Sequence, residues 1–465
     1  MKSGNESLSP TFSRSLREGP EAGANDKAQS RTLMSQPATA RDVALDLIAA
    51  VLRRKRPLDD AIEDNPAMHR LSGRDRAFAR LLVATVLRRL GQIDALIAGC
   101  LNTPLAPRAA VVQDILRLGV AQLLFLRTPP HAAVATSVDL AHSRGLLSHK
   151  GLVNAVLRRL SVEGAERVAL QDAPRLNTPD WLWRSWSRTY GEATARAIAG
   201  AHLKEAPLDL TLRENDAAWR DKLDGILLPT GTLRRAAGGS VTTLPGYAEG
   251  AWWVQDAAAA LPARLFGDVA GRHVVDLCAA PGGKTAQLAT KGAHVTAIDR
   301  STRRLERLVA NLERLGLPVE AVTADAATWR PPQPIDAVLL DAPCTTTGAI
   351  RRHPDVPHLK MPEDVVRLSA VQENLLHAAI EMLRPGGVLV YCTCSLEPQE
   401  GPERIAALLR EGAPVARRPI DPAEIGGNPE WVTDEGDLRT LPCHLAEYDG
   451  VDGFFCARLV KLDSG

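Results

Sequence analysis

Two segments of this chain end in a thiol where a buried strand runs out. Ile335 to Cys344 reads IDAVLLDAPC, closing on an acid, a proline and a cysteine, and Val388 to Ser395 reads VLVYCTCS. In open α/β sheets, ligands and chemistry gather at the carboxyl ends of parallel strands. Asp341, Cys344 and Cys394 are therefore expected to converge. Two thiols and one carboxylate fit covalent methylation of a pyrimidine. Carbon 5 of cytosine is a poor nucleophile until a thiolate adds to carbon 6, making an enamine-like carbon that can attack a sulfonium methyl group. A second group must then remove the proton at carbon 5 and let the thiol leave. Residue types alone leave open which thiol attacks.

A cofactor loop lies upstream. His273 to Thr285, HVVDLCAAPGGKT, is a β-branched strand running into a small-residue turn and a helix start. Gly282 and Gly283 let backbone approach a ligand, and the helix start offers free N–H groups. A phosphate-cradling loop would need glycine six places before Lys284, where Cys278 stands, and the dinucleotide fingerprint G-x-G-x-x-G is absent. What remains suits an adenosine ligand without a pyrophosphate, which points to S-adenosylmethionine. Asp299 closes a second strand, HVTAID, where an acid grips ribose hydroxyls. Enzymes that methylate amino groups carry N/D-P-P-Y/F and need no thiol, so D-A-P-C favours a carbon target. Asp341 suits the ring nitrogen or amino group of the base. Lys284 either assists it or is a solvated helix-end cation.

DLCAAPGGKT at 276–285, DAPCTTTGAIRRHPD at 341–355 and TCS at 393–395 resemble, in order, the signatures of the bacterial 16S rRNA cytosine-C5 methyltransferases of the Sun, or Fmu, family. The resemblance implies that Cys394 is the nucleophile and that Cys344 assists product release, although DNA cytosine methyltransferases place their attacking thiol where Cys344 stands. It implies cofactor contacts from Cys278, Ala279, Ala280, Pro281, Gly282, Gly283 and Lys284, from Asp299 at the ribose, from Asp325 near the adenine and from Asp341 near the methionine end. It also implies a substrate, cytosine 967 of 16S rRNA, unassembled or in a partly assembled small subunit, and a NusB-like RNA-binding domain at the N-terminus. Thr345-Thr346-Thr347 depart from the Ser and small residue of many relatives. Methylation of transfer RNA, or a silent RNA-binding assembly factor, are the alternatives.

Cys100, Cys443 and Cys456 read as small apolar fillers. Cys392 and Cys394 lack the further ligands of a metal site, so no metal is expected. The net charge of +1 confines any RNA surface to local patches: 53–56, Arg88-Arg89, Arg158-Arg159, Arg303-Arg304 with Arg307, and above all Arg351, Arg352 and His353. These last follow the Cys344 loop and could clamp phosphates flanking a flipped base.

The elements that must hold these groups alternate strand and helix from 251 to 463, giving a doubly wound, Rossmann-like sheet. Apolar stripes such as Val43, Leu47 and Val51, or Val153, Val156, Leu157 and Leu160, make 38–162 an all-helical bundle. Residues 163–250 read as a small α/β domain, with Trp181, Trp183 and Trp186 as core anchors. Residues 1–37, rich in Ser, Gly, Arg and Glu, read as disordered, with Met34 a possible natural start. A chain of 465 residues implies several domains. Seven cysteines imply a reducing compartment. No run is long enough to span a membrane and no signal peptide is evident, so a cytoplasmic monomer is expected, with no further RNA-binding domain after 463.

Overall fold

The computed structural model describes residues 38–214 and 218–463. The expected N-terminal extension and the start at Met34 lie outside the described residues. The first helix, Ala40–Leu52, is set by a capping box: Asp42 N donates to Thr39 Oγ1 (3.2 Å) and Thr39 N donates to Asp42 Oδ2 (3.1 Å). Its stripe of Val43, Leu47 and Val51 is buried, against partners that include Leu82 and Val86 of Gly73–Arg88 and Ile115 and Leu118 of Ala110–Val120. The helix Lys150–Ala169 buries Val153, Val156, Leu157 and Leu160. Gly119 lets it close in, since a Cβ there would meet Leu157 Cδ1 at 2.6 Å.

Two elements run past the expected divisions. Lys150–Ala169 runs through the 162/163 division, because VEGAERVA continues as helix although its apolar stripe has ended. The middle region then adds the helices Asp180–Tyr190 and Glu192–His202 before its first strand. That strand, β1 (Leu208–Leu212), joins β2 (Ile226–Leu227), β3 (Leu233–Arg235) and β4 (Trp252–Val254) in a sheet ordered β2-β3-β1-β4. The sheet crosses the expected division at 250/251, taking in β4 from beyond it, because Leu210 to Leu212 pair with Val254 to Trp252. Trp186 is buried, as an anchor should be.

The second sheet carries the chemistry. It comprises β5 (His273–Leu277), β6 (His294–Asp299), β7 (Glu320–Thr323), β8 (Ile335–Asp341), β9 (Leu383–Thr393), β10 (Val415–Arg417), β11 (Leu438–Thr440) and β12 (Phe454–Lys461). Its order is β10-β12-β9-β8-β5-β6-β7, with β11 also paired to β12. Strands β5 to β9 are parallel and β12 runs antiparallel to β9. The chain leaves β5 toward β6 and β7, then returns to β8 on the other side, so the crevice opens at the carboxyl end of β5. Helix Thr302–Leu315 ends at Gly316 in the left-handed region, as its stripe predicts, and Pro362–Met382 buries Val365, Leu368, Leu375, Leu376 and Ala379. Among the described residues no helix is long and apolar enough to cross a membrane.

The helical part is fastened to the catalytic part by polar contacts. Leu58 N donates to Asp355 Oδ2 (2.9 Å), Lys55 Nζ to the His358 carbonyl (3.0 Å) and Arg88 Nη2 to the Arg351 carbonyl (3.0 Å). Arg303 pairs with Glu63 (2.8 Å) and Asp64 (3.0 Å), and Arg307 pairs with Glu63. Much of the basic patterning that reads as RNA surface is therefore spent on this joint. Arg158 and Arg159 remain exposed.

Candidate active site

Parallel pairing delivers four strand ends to one crevice. Register partners Asp341 of β8 and Cys392 of β9 stand side by side, with the Cys392 thiol donating to Asp341 Oδ1 (3.5 Å). Three residues past Asp341, the turn returns Cys344 to the end of β9. There its sulfur lies 3.5 Å from that of Cys394, both thiols being free and half-buried. At this distance two negative charges would repel strongly, so the two sulfurs are not both ionised together. Sharing a hydrogen bond with Cys394, and then burial, push the Cys344 thiol well above its ordinary range.

Lys284 is no solvated helix-end cation. It is buried in the first turn of Gly283–Thr290, where Nζ donates to Asp341 Oδ2 at 2.8 Å and lies 5.0 Å from the centre of the Phe454 ring. Burial alone would depress its pKa, but the Asp341 carboxylate outweighs that and keeps the ammonium charged. Asp341 is thus held by one oxygen on each side, with about a third of its side chain open to the crevice.

The cofactor-loop residues lie where the strand ends predict. Gly282 adopts φ +99°, and a Cβ there would meet Leu308 Cγ at 2.8 Å, so the loop packs on Thr302–Leu315 only with glycine. Burial, then the nearby Asp341 and Asp299, push the Cys278 thiol up to about 12, leaving it a neutral wall. Asp299 is 2% exposed and braces the loop: Ala280 N donates to Oδ2 (3.2 Å) and Ser301 N to Oδ1 (2.9 Å). Arg304 lies over it at 3.5 Å and donates to the Ala280 carbonyl, so it serves this loop rather than a basic patch. Asp325 is exposed in the turn after β7, where Ala327 N donates to it (2.9 Å).

Along the sheet edge the carboxylates run Asp341, Asp299, Asp325 at the ends of β8, β6 and β7, with the loop Cys278–Gly283 between the first two. That spacing suits an elongated ligand with a cationic end beside Asp341 and hydroxyls beside Asp299. Asp276 adds an independent sign. Among the described residues its buried Oδ1 has no hydrogen-bond partner, while burial, against a hydrogen bond from Thr285 Oγ1 (2.6 Å), pushes the carboxyl up to about 7. A buried acceptor left free beside the loop fits a cationic or N–H-bearing ligand. These residues fit S-adenosylmethionine.

The phosphate-clamp expectation for Arg351 and Arg352 is corrected. Arg351 has 1% of its side chain exposed and donates to Asp452 Oδ1 (2.8 Å), the Asp449 carbonyl (2.7 Å) and Asp256 Oδ2 (3.2 Å). Arg352 reaches Asp256 (2.6 Å), Asp452 (3.1 Å) and Asp209 (3.4 Å). Acids brought from three distant segments neutralise both guanidiniums inside the protein. His353 alone is half-exposed, 3.6 Å from Asp59.

Sequence reading missed the groups behind the thiols. Thr345 and Thr347 are fully buried and their hydroxyls approach Ser395 Oγ at 3.1 and 3.4 Å, so they tie two loops together instead of meeting a base. Thr346 between them has φ +62°, an uncommon conformation for a β-branched residue and one that holds the turn away from a regular helix. Glu400, the last residue of the short turn Pro398–Glu400, lies beneath them and is not singled out by sequence.

Residues 266–460 match the sequence profile of a family described as 16S rRNA methyltransferase RsmB/F, and residues 38–161 match the NusB family. A protein of Klebsiella pneumoniae subsp. pneumoniae, "Ribosomal RNA small subunit methyltransferase B", is 33% identical over 446 residues, covering 92% of this chain and 99% of that protein. The crystal structure of PH0851 shares the fold at a TM-score of 0.71 over 90% of this chain and 98% of its own, with 22% identity. A methyltransferase homolog from Pyrococcus horikoshii aligns at 0.51 over 63% of this chain and 98% of its own, with 26% identity.

Proposed function

The chain belongs to the 16S rRNA methyltransferase RsmB/F family, and we propose that it methylates carbon 5 of a cytosine in 16S rRNA, cytosine 967, through a covalent adduct with Cys394. The observation that carries this reading is the pair of free thiols 3.5 Å apart at the end of β9, with Asp341 at the end of the neighbouring β8. Nitrogen methylation needs no thiol, and a single thiol would suffice for addition alone. A second thiol gives the protein a separate group for the later proton transfer and release.

S-adenosylmethionine, when bound, supplies an electrophilic methyl group. The loop Cys278–Lys284 would contact it, with Asp341 near the methionine end, Asp299 at the ribose and Asp325 on the adenine side. The Cys394 sulfur, as a thiolate, adds to carbon 6 of the cytosine, while Asp341, fixed by Lys284, either accepts from the amino group and orients the base or, carrying a proton, donates it to the ring nitrogen, where the added electron pair is taken up. Carbon 5, so activated, would accept the methyl group as its bond to the sulfonium sulfur broke and left a neutral thioether, an alignment step that asks little else of the protein. Loss of the carbon 5 proton restores the double bond as the carbon–sulfur bond breaks and Cys394 recovers the pair, with Cys344 the group placed to assist. The base must leave its stack to reach these groups, so a single-stranded or loop cytosine is favoured. The helical part docks the RNA, with His353 at the rim, and the enzyme works as a cytoplasmic monomer on free or partly assembled small-subunit RNA.

Incubating the full chain with S-adenosylmethionine and an unmodified 16S rRNA transcript, then mapping the product by nuclease digestion and mass spectrometry, tests this. The expected result is 5-methylcytidine at one position, cytosine 967. A methyl group on an exocyclic nitrogen, or methylation confined to a transfer RNA supplied in parallel, would overturn it.

A further inference from the structure

Glu400 is fully buried beside the two thiols. It holds the residue that follows each one. Thr345 N, next to Cys344, donates to Oε1 (3.0 Å) and Oε2 (3.2 Å), and Thr345 Oγ1 also donates to Oε2. Ser395 Oγ, next to Cys394, donates to Oε2 (2.6 Å). Gln372 completes the frame, since its Nε2 donates both to Glu400 Oε1 (3.1 Å) and to the carbonyl of Pro343, the residue before Cys344 (2.9 Å). The backbone of Glu400 is itself fixed, its carbonyl accepting from Tyr391 Oη (2.8 Å) and Thr393 Oγ1 (3.2 Å) of β9.

A buried carboxylate is a costly way to satisfy neutral donors, and burial raises the pKa of this one even against those hydrogen bonds. Two loops from different strands end in the two thiols, both of them free. One rigid acceptor with two oxygens can bond both loops at once. An amide serves less well, because its NH2 group would face Thr345 N and the Thr345 and Ser395 hydroxyls would have to turn from donating to accepting. An aspartate falls one methylene short.

We propose that Glu400 is a positioning residue that sets the distance between the Cys344 and Cys394 sulfurs. The proposal rests on the two-thiol reading of the site for its catalytic consequence, but the distance it fixes can be measured without catalysis. The probe is diamide, an azo oxidant that takes two electrons and two protons from a pair of thiols as their disulfide forms. The disulfide is quantified by peptide mapping of the full-length protein.

In wild type, the sulfurs already in contact form the 344–394 disulfide quickly. Glu400→Gln is expected to slow that crosslink about tenfold or more and to lower kcat for methyl transfer by a similar factor with KM for RNA little changed, because small misplacements at a reacting centre are costly. Glu400→Asp should fall between the two. Ser395→Ala, which leaves Glu400 and its Cys344-side bonds in place but removes the Cys394-side bond together with the contacts of Ser395 Oγ to Thr345, Thr347 and Glu397 N, should show a smaller loss in the same direction and carries the test if Glu400→Gln does not fold. Unchanged crosslinking in folded Glu400→Gln, or in Ser395→Ala if the former is unfolded, overturns the proposal, even if activity falls. Normal crosslinking in wild type without any cytosine-C5 product would sink the reading of the reaction and leave the role of Glu400 standing.

Discussion

Cys394→Ala is expected to lower methyl transfer to 16S rRNA by a factor of roughly 10⁴ or more, because it removes the nucleophile whose addition activates carbon 5. The alanine leaves a small void at a half-buried strand end, so folding should survive. Asp341, Lys284 and the cofactor loop are untouched, and cofactor affinity measured by calorimetry should stay within a few-fold of wild type. Incorporation of labelled methyl group into the transcript is the readout. Residual activity within about tenfold of wild type would mean that carbon 5 is activated without Cys394. Cys392, the other thiol of the C-x-C, cannot substitute. It is fully buried against Asp341, and burial pushes its thiol well above the ordinary range.

The second large effect is on stability. Arg351→Met should destabilise the catalytic part by about 3–5 kcal/mol, the usual cost of removing one partner from a buried ion pair. Burial alone would raise the Asp256 carboxyl, yet the guanidiniums of Arg352 and Arg351 hold it well below the usual range. Without Arg351, Asp256 and Asp452 share only Arg352, which is also in contact with Asp209, and the Asp449 carbonyl loses its donor. The loss should appear as a lower urea midpoint and as faster amide exchange in 345–356 and 449–453, the segments this cluster fastens. Arg80→Ala, at an exposed position, should change stability by less than about 0.5 kcal/mol. If Arg351→Met matched it, the cluster would be dispensable. RNA binding should fall in Arg351→Met only as far as folding does, since the side chain does not reach the surface.

What could be read in the sequence, and what could not, divides by distance along the chain. The strand ends were legible because each is announced locally: a β-branched run, then glycine, proline or an acid, with Asp299, Asp341 and Cys394 at the terminus. Convergence of Cys344 with Cys394 followed from two adjacent parallel strands. Gly316 could be read as a helix stop for the same local reason. Arg351 and Arg352 could not be read, because an arginine pair after a loop looks solvated until Asp209, Asp256 and Asp452 are folded around it. The small sheet took in β4 from beyond the expected boundary because pairing with β1 is decided across some forty residues. Glu400 escaped notice for a related reason. Its partners Thr345 and Gln372 lie tens of residues away, and only folding removes it from water.

The most direct test of the covalent reading is retention of RNA by Cys344→Ala on a denaturing gel after incubation with S-adenosylmethionine and unmodified 16S rRNA. With the releasing thiol gone and Cys394 intact, the adduct should accumulate as a slower protein band that nuclease collapses, and Cys344→Ala/Cys394→Ala should show none. Absence of that band while wild type methylates the transcript, or its appearance with Cys394→Ala alone, would contradict the assignment of Cys394 as nucleophile.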